Sequence, residues 1–220
     1  MKIAPTKKYA VITGDIVDSS KLSKTQRKQL PAQIAKASRD TRDFFGAAVP
    51  MEVDVFRGDG WQLIVSEPTA SLRVGLFFRA CLRTAAKRGR GLDTRLAIAI
   101  GTVDFVGDRV SGGDGEAYRL SGRLLEQIPG KQRLQIALPG EAGDDAIAVI
   151  VRLIDVIARG WTGRQAQAVC GALRGWTQEK IAGSWPGKVS QQAVTKHLDA
   201  ANWPALEEAL ILVETRLGKL

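Results

Sequence analysis

Val11–Ser20 reads VITGDIVDSS. Four residues of strand character run into a glycine and an aspartate, followed by two apolar positions, a second aspartate and two serines. Taken with the residues before it, KYAVITGD (8–15) is a short apolar run closed by a glycine, which reads as a buried strand. Asp18, Ser19 and Ser20 are residues that start helices, because their side-chain oxygens accept hydrogen bonds from the first unpaired backbone N–H groups. A carboxylate at the end of such a strand, here Asp15, needs a partner or water. Which partner it finds depends on the strands that follow.

From Ser20 to about Phe45 the spacing of Leu22, Leu30, Ile34 and Ala37 predicts an amphipathic helix capped by Ser19 or Ser20, with Pro31 breaking it into two pieces. MEVDVFRGDGWQLIVSE (51–67) sets two strand-like runs around RGDG, and Asp59-Gly60 predicts a type I′ hairpin turn with positive φ at both residues. Apolar residues then recur at helical spacing from about Ala70 to Ala86, ahead of a basic, glycine-punctuated turn. LDTRLAIAIGTVDFV (92–106) adds a strand and a short further strand around Val103–Val106. The order strand, helix, strand, strand, helix, strand is that of a ferredoxin-like α+β fold. In that fold the third strand lies between the first and second, so the hairpin joining strands two and three sits at the edge where strand one ends. Asp15 and Asp59 are therefore expected to converge.

Beyond Val106 the sequence predicts a helix from about Asp114 to Gln127, with Asp114 as its cap and Leu120, Leu124 and Leu125 as its core face. QRLQIALP (132–139) is a further strand, and the run from 140 to 163 a helix joining two units. After Gly160 strand signals vanish, which divides the chain into an α+β unit at 1–155 and an all-α unit at 156–220. Internal repeats and low-complexity segments are absent from the sequence.

The 220 residues are 45% hydrophobic and 25% charged, the make-up of an ordinary globular protein rather than a disordered chain. The N-terminal apolar run stops at Gly14 and Asp15, too short for a signal peptide or a membrane span, which gives the expectation of a cytoplasmic protein. A net charge of +9 favours a polyanionic partner, nucleic acid or a phosphorylated small molecule. Cys81 and Cys170 sit in apolar helical surroundings without the spacing of a metal or redox pair, and read as buried thiols.

Two carboxylates at one sheet edge beside a helix start are the parts that hold Mg²⁺ and a triphosphate, since Mg²⁺ takes one or two protein carboxylates plus phosphates and water. Each residue also has a plainer role. Asp18, Ser19 and Ser20 are ordinary caps, Asp59 makes a good turn, and Gly112, Gly113 and Gly115 a flexible helix entry.

VITGDIVDSSKL, FRGDGWQLIV and AIAIGTVDFVGDRVSGGDGEAYRLSGRLLE resemble, in this order, stretches of the SatD family of bacterial proteins, and more distantly the catalytic domain of class III nucleotidyl cyclases. The resemblance covers about the first 130 residues. It implies a βαββαβ core and metal-binding aspartates at Asp15 and Asp59, holding Mg²⁺ or Mn²⁺. It further implies nucleoside triphosphate contacts from Gly14, Ile16, Val17, Ser19, Ser20 and Arg119, and a charge-stabilising Arg123 that in a homodimer acts on the neighbouring subunit. The chain departs from the cyclase pattern at Arg119, where cyclases carry asparagine, at Val55, where they carry a base-selecting lysine, and at Asp18, whose charge falls close to the phosphates.

In the tail, a capped helix from Thr177, a glycine-containing turn and a second capped helix from Ser190 have the order of a helix-turn-helix and resemble bacterial regulators. Ile181, Ala182, Val189, Val194 and Leu198 would pack the pair, leaving Ser190, Gln191, Gln192, Thr195 and Lys196 for DNA. A helical dimerisation or docking unit is the alternative. His197 is without a metal-binding companion, and Trp161, Trp176, Trp185 and Trp203 read as packing anchors. Two functions follow: a nucleotide-responsive DNA-binding regulator, or a metal-dependent enzyme that converts a nucleoside triphosphate.

Overall fold

The computed structural model describes residues 1–4, 6–56, 58–84, 91–139, 145–187 and 189–219. Its centre is a five-stranded sheet of β1 (Tyr9–Ile16), β2 (Asp54–Phe56), β3 (Gly60–Val65), β4 (Thr94–Gly101) and β5 (Leu134–Ala137), in the order β2-β3-β1-β4-β5. β1 runs antiparallel to both β3 and β4, β2 antiparallel to β3, and β5 parallel to β4. β3 thus separates β1 from β2. β1 is buried along almost its whole length because it is covered on both faces, and its alternate residues serve two cores. Ala10, Ile12 and Ile16 belong to the larger core, and Tyr9 and Val11 to a smaller one with Ile64, Ala117 and Tyr118.

Helix α1 (Lys24–Phe45) packs on α2 (Ser71–Thr84), which lies on the larger core's face of the sheet, while α3 (Glu116–Glu126) covers the other face. α2 is buried nearly all round. The reason is that α5 (Gly163–Leu173) packs on its outer side. α4 (Asp145–Gly160), α6 (Gln178–Gly183), α7 (Gln191–Ala200) and α8 (Trp203–Leu217) complete the helical part, and their apolar faces continue the larger core. The boundary expected at 155 falls within α4. Trp161, Trp185 and Trp203 are buried in this core, and Trp176 is partly buried against it. Among the described residues, no helix is long and apolar enough to cross a membrane.

Several local expectations are corrected. α1 starts at Lys24, not at Ser20, and its cap is Ser23: the Ser23 hydroxyl accepts from Gln26 N–H while the Gln26 side chain accepts from Ser23 N–H. Ser19–Lys21 form a single 3-10 turn instead. Pro31 does not break α1, which runs on through it, and the residue lies on the exposed side of the helix. The β2–β3 connection is not a type I′ turn on Asp59-Gly60. Positive φ falls on Gly58 (86°), and Gly60 is already paired with Phe56 in the ladder. Val103–Val106 form no strand, only a bridge from Phe105 to Asp114. The cap of α3 is Gly115, not Asp114, and its buried face is Ala117, Tyr118 and Ser121, with the expected leucines half-buried. α2 is described as far as Thr84, and the basic segment 85–90 lies outside the described residues.

A buried charge cluster anchors the start of β4. Arg79 of α2 donates Nε to Asp93 Oδ1 at 2.8 Å and a second nitrogen to Asp155 of α4 at 2.8 Å. Arg83 reaches Asp93 at 2.6 Å and the Trp161 carbonyl at 2.7 Å, and Arg133 also pairs with Asp93. Burial would raise the Asp93 carboxyl, but the three guanidinium groups outweigh it and hold the group far below the usual carboxylate range. α2, α4 and the segments leading into β4 and β5 are tied at one point.

Candidate functional site

β1 carries Asp15 to the end of the sheet in a fixed register: Asp15 lies opposite Gly60 of β3 on one side and opposite Arg95 of β4 on the other. Because Gly60 directly follows Asp59, the ladder brings the backbones of the two acids together across sequence positions 44 residues apart. Asp15 and Asp59 are both partly exposed.

The partner of Asp15 is Arg95. Its Nε donates to Asp15 Oδ1 at 2.9 Å, and a terminal nitrogen donates to Oδ2, a two-pronged pair. The hydrogen bond from Arg95 to Asp15 raises the guanidinium's pKa, burial opposes this, and the charges of Asp15 and Asp59 add to the rise. Arg95 therefore feels both acids. Sequence reasoning missed it, because nothing local to the run TRLAIAIG shows that a carboxylate lies across from Arg95 on β1.

The other nucleotide-binding candidates are distributed around this point. Gly14 lies on the opposite face of β1, where an added Cβ would come within 2.4 Å of the Trp61 indole and 2.5 Å of the Arg95 carbonyl. Only glycine lets Trp61 seat there. The indole N–H donates to Thr94 Oγ1 at 2.8 Å, and Thr94 Oγ1 donates to the Asp15 carbonyl at 2.6 Å, so the packing also steadies the strand end. Ile16 is core, and Val17 N–H donates to the Asp93 carbonyl at 2.9 Å. Asp18 holds a left-handed backbone with φ 55° and pairs with exposed Lys21 at 2.8 Å; Ser19 and Ser20 follow in the 3-10 turn. Ser20 is exposed and Ser19 partly so.

On the face of the sheet that bears Asp15, α3 is pinned by a buried contact of 2.8 Å between Thr13 Oγ1 and Ser121 Oγ, with Gln62 Nε2 donating to Thr13 at 2.9 Å. Arg119 and Arg123 stand exposed on α3. Arg119 pairs with Asp114 at 2.7 Å and lies 3.8 Å from Asp104, groups that follow the far end of β4 from Arg95. Within one chain Arg119 is directed away from Asp15.

In the tail, Thr177 caps α6 and Ser190 caps α7, each accepting at 3.2 Å from a backbone N–H in the first turn. Ile181, Ala182, Val194 and Leu198 are buried, and Val189 packs against them. Ser190, Gln191, Gln192 and Lys196 are exposed. Thr195 corrects the expectation of an outward side chain: its hydroxyl donates to Gln178 Oε1 at 2.7 Å and so ties α7 to α6. His197 sits 5.4 Å from the Trp185 ring, and burial together with Arg164 lowers its pKa. Cys81 and Cys170 are buried free thiols, as the sequence suggested, and their sulfurs lie 3.6 Å apart.

Among the described residues, no group of three or more His, Cys, Asp or Glu side chains forms a metal centre. At the sheet end stand two acids, Asp15 paired with Arg95 and Asp59 near enough to raise the Arg95 pKa by its charge. Such a set fits Mg²⁺ or Mn²⁺ once Arg95 has released Asp15, because these ions take one or two carboxylates and fill the remaining sites with phosphate and water.

No family model and no curated protein matches the sequence. Among solved structures, the chain is similar to an adenylate cyclase from Trypanosoma brucei in its monomeric state (16% identity, 62% of this chain and 74% of that one, TM-score 0.47). It is also similar to the catalytic core of a rhodopsin-guanylyl cyclase with converted specificity in complex with ATPαS (14% identity, 60% and 77%, TM-score 0.45). A third is a bacterial light-regulated adenylyl cyclase (18% identity, 59% and 43%, TM-score 0.42).

Proposed function

We propose that the chain is a metal-dependent enzyme of the nucleotidyl cyclase type, acting on a nucleoside triphosphate at the sheet end that carries Asp15 and Asp59. The observation that carries this reading is the ladder register, Asp15 opposite Gly60, which sets two acids from distant parts of the sequence beside one cationic group. The β-α-β-β-α-β succession and the strand order, with β3 between β1 and β2, support a ferredoxin-like unit of this kind.

In this reading Asp15 and Asp59 hold Mg²⁺ or Mn²⁺ together with the phosphates. When bound, the ion supplies activation of the attacking hydroxyl and neutralisation of phosphate charge. Arg95, displaced from Asp15, turns its guanidinium to a phosphate oxygen at the same sheet end, where a planar fork of donors suits it. The turn from Ile16 to Ser20 lies alongside for backbone contact with the triphosphate. Arg123 is exposed on α3 and is assigned to transition-state charge on the site of a second copy in a homodimer.

The test is incubation of the purified chain with Mg²⁺ or Mn²⁺ and each nucleoside triphosphate in turn, followed by chromatography. The expected result is a cyclic or otherwise converted nucleotide that disappears in Asp59→Ala and Asp15→Asn. Turnover that persists undiminished in both variants would place the chemistry elsewhere.

A second reading, the nucleotide-responsive DNA-binding regulator of the SatD type, is favoured by one feature of the tail. α7 is capped and packed on α6, and its N-terminal half exposes Ser190, Gln191, Gln192 and Lys196. Such a face suits major-groove recognition by glutamine and phosphate contact by lysine. In this reading the units 1–155 and 156–220 sense and bind respectively, in a cytoplasmic protein.

A further inference from the structure

Cys81 of α2 and Cys170 of α5 are 89 residues apart in sequence, and their Sγ atoms are 3.6 Å apart in space. Both side chains are buried, yet both line one cavity of about 410 Å³. Lys36 and Asp40 of α1, Thr84 after Cys81, and Arg174 at the end of α5 line the same cavity. Although Asp40 lines the same cavity, no group of three or more His, Cys, Asp or Glu side chains among the described residues is placed to hold a metal, so the two thiols do not make a structural zinc site. Bonding them asks the sulfurs to approach by about 1.5 Å, given the usual S–S length of about 2.05 Å.

We infer that Cys81 and Cys170 form a dithiol modification site which a hydroperoxide converts to an intramolecular disulfide, fastening the helical tail to α2. One sulfur attacks the peroxide, the O–O bond breaks, and hydroxide leaves with the thiol proton as water, giving a sulfenic acid. The second sulfur attacks that sulfur, the S–O bond breaks, and a second water leaves with the other thiol proton. Two thiols and one hydrogen peroxide thus give one disulfide and two waters. The cavity supplies the route for the oxidant. α2 also carries Arg79 and Arg83, which hold Asp93 two residues before Arg95, so the bond joins the tail to the helix that sets the start of β4.

The surroundings set the pace. The hydrogen bond with Cys81 and burial push the Cys170 thiol well up; Asp40 reinforces this and Arg174 opposes it, while Lys36 is the remaining charged group on the cavity wall. Cys170 is therefore protonated at neutral pH, and the disulfide forms faster under mildly alkaline conditions.

The experiment treats the full-length reduced chain with hydrogen peroxide at neutral and mildly alkaline pH, then reads intact mass, alkylatable thiols and non-reducing peptide maps. The expected result is a mass lower by two hydrogens, loss of both alkylatable thiols, a linked Cys81–Cys170 peptide and a higher melting temperature, all reversed by dithiothreitol. The inference is overturned by two intact thiols at a peroxide dose that oxidises a free-thiol reference peptide. It is equally overturned by oxygen addition without a link, or by a link between two copies.

Discussion

Arg95 is the charged residue of β4, and its guanidinium grips the acid proposed to bind a metal. A positive group facing Asp15 and Asp59 competes directly with any cation at that position. The expected outcome for Arg95→Gln is tighter binding of Mn²⁺ alone, measured by calorimetry in the absence of nucleotide, together with weaker binding of a nucleoside triphosphate. Mn²⁺ affinity that falls in the variant would mean that Arg95 supports the cation site rather than occupying it. Asp15 and Asp59 were both legible as candidates, one from its place at a strand end and the other from its turn. Arg95 was not, because an arginine within a strand becomes meaningful only when the neighbouring strand puts a carboxylate across from it.

At the scale of elements, the connection between α2 and β4 depends on Asp93. Its carboxylate is shared by Arg79, Arg83 and Arg133, and Asp155 takes the remaining side of Arg79. Removing Asp93 leaves three guanidinium groups buried or half-buried around one another, so Asp93→Asn is expected to cost about 3–5 kcal/mol of stability in urea unfolding at neutral pH. The pH dependence has a definite sign. The folded-state pKa of Asp93 is depressed, so its contribution is fully present above the unfolded value of about 3.9 and is lost as the pH falls below that value toward the folded one. The wild type should therefore lose more stability than Asp93→Asn as the pH falls below about 4. Parallel losses in the two proteins would show that the cluster is not the acid-sensitive element. The helix boundaries show the same competition between local signals. Ser19 and Ser20 looked like caps by type, but Ser23 and Gln26 satisfy each other's backbone N–H groups, and the helix begins where that reciprocal pair is available.

For the whole molecule, the tail and the sheet unit share one apolar core through α2 and α5, so the nucleotide proposed at the sheet end and the DNA proposed on α7 would act on one connected body. The net charge of +9 gives any polyanion a general attraction. Specific use of α7 has a sharper signature. In a titration with duplex DNA over a salt series, Lys196→Ala should weaken binding and reduce the slope of log affinity against log salt by about one. Gln192→Ala should lower discrimination among sequences more than overall affinity. Unchanged binding and slope in the double variant would remove α7 from the interface and leave the tail as a packing unit.

By itself the sequence determined the succession of strands and helices apart from the strand expected at Val103–Val106, the two acids at candidate positions, and the capped pair of helices in the tail. Periodicity and cap chemistry are local and can be read residue by residue. Only the tertiary structure decided that Arg95 meets Asp15, that Asp93 gathers three arginines, and that Cys81 touches Cys170. Each of these joins segments that no periodicity relates. Their proximity follows from strand register and from the packing of α2 between the sheet and α5, which no single stretch of the chain encodes.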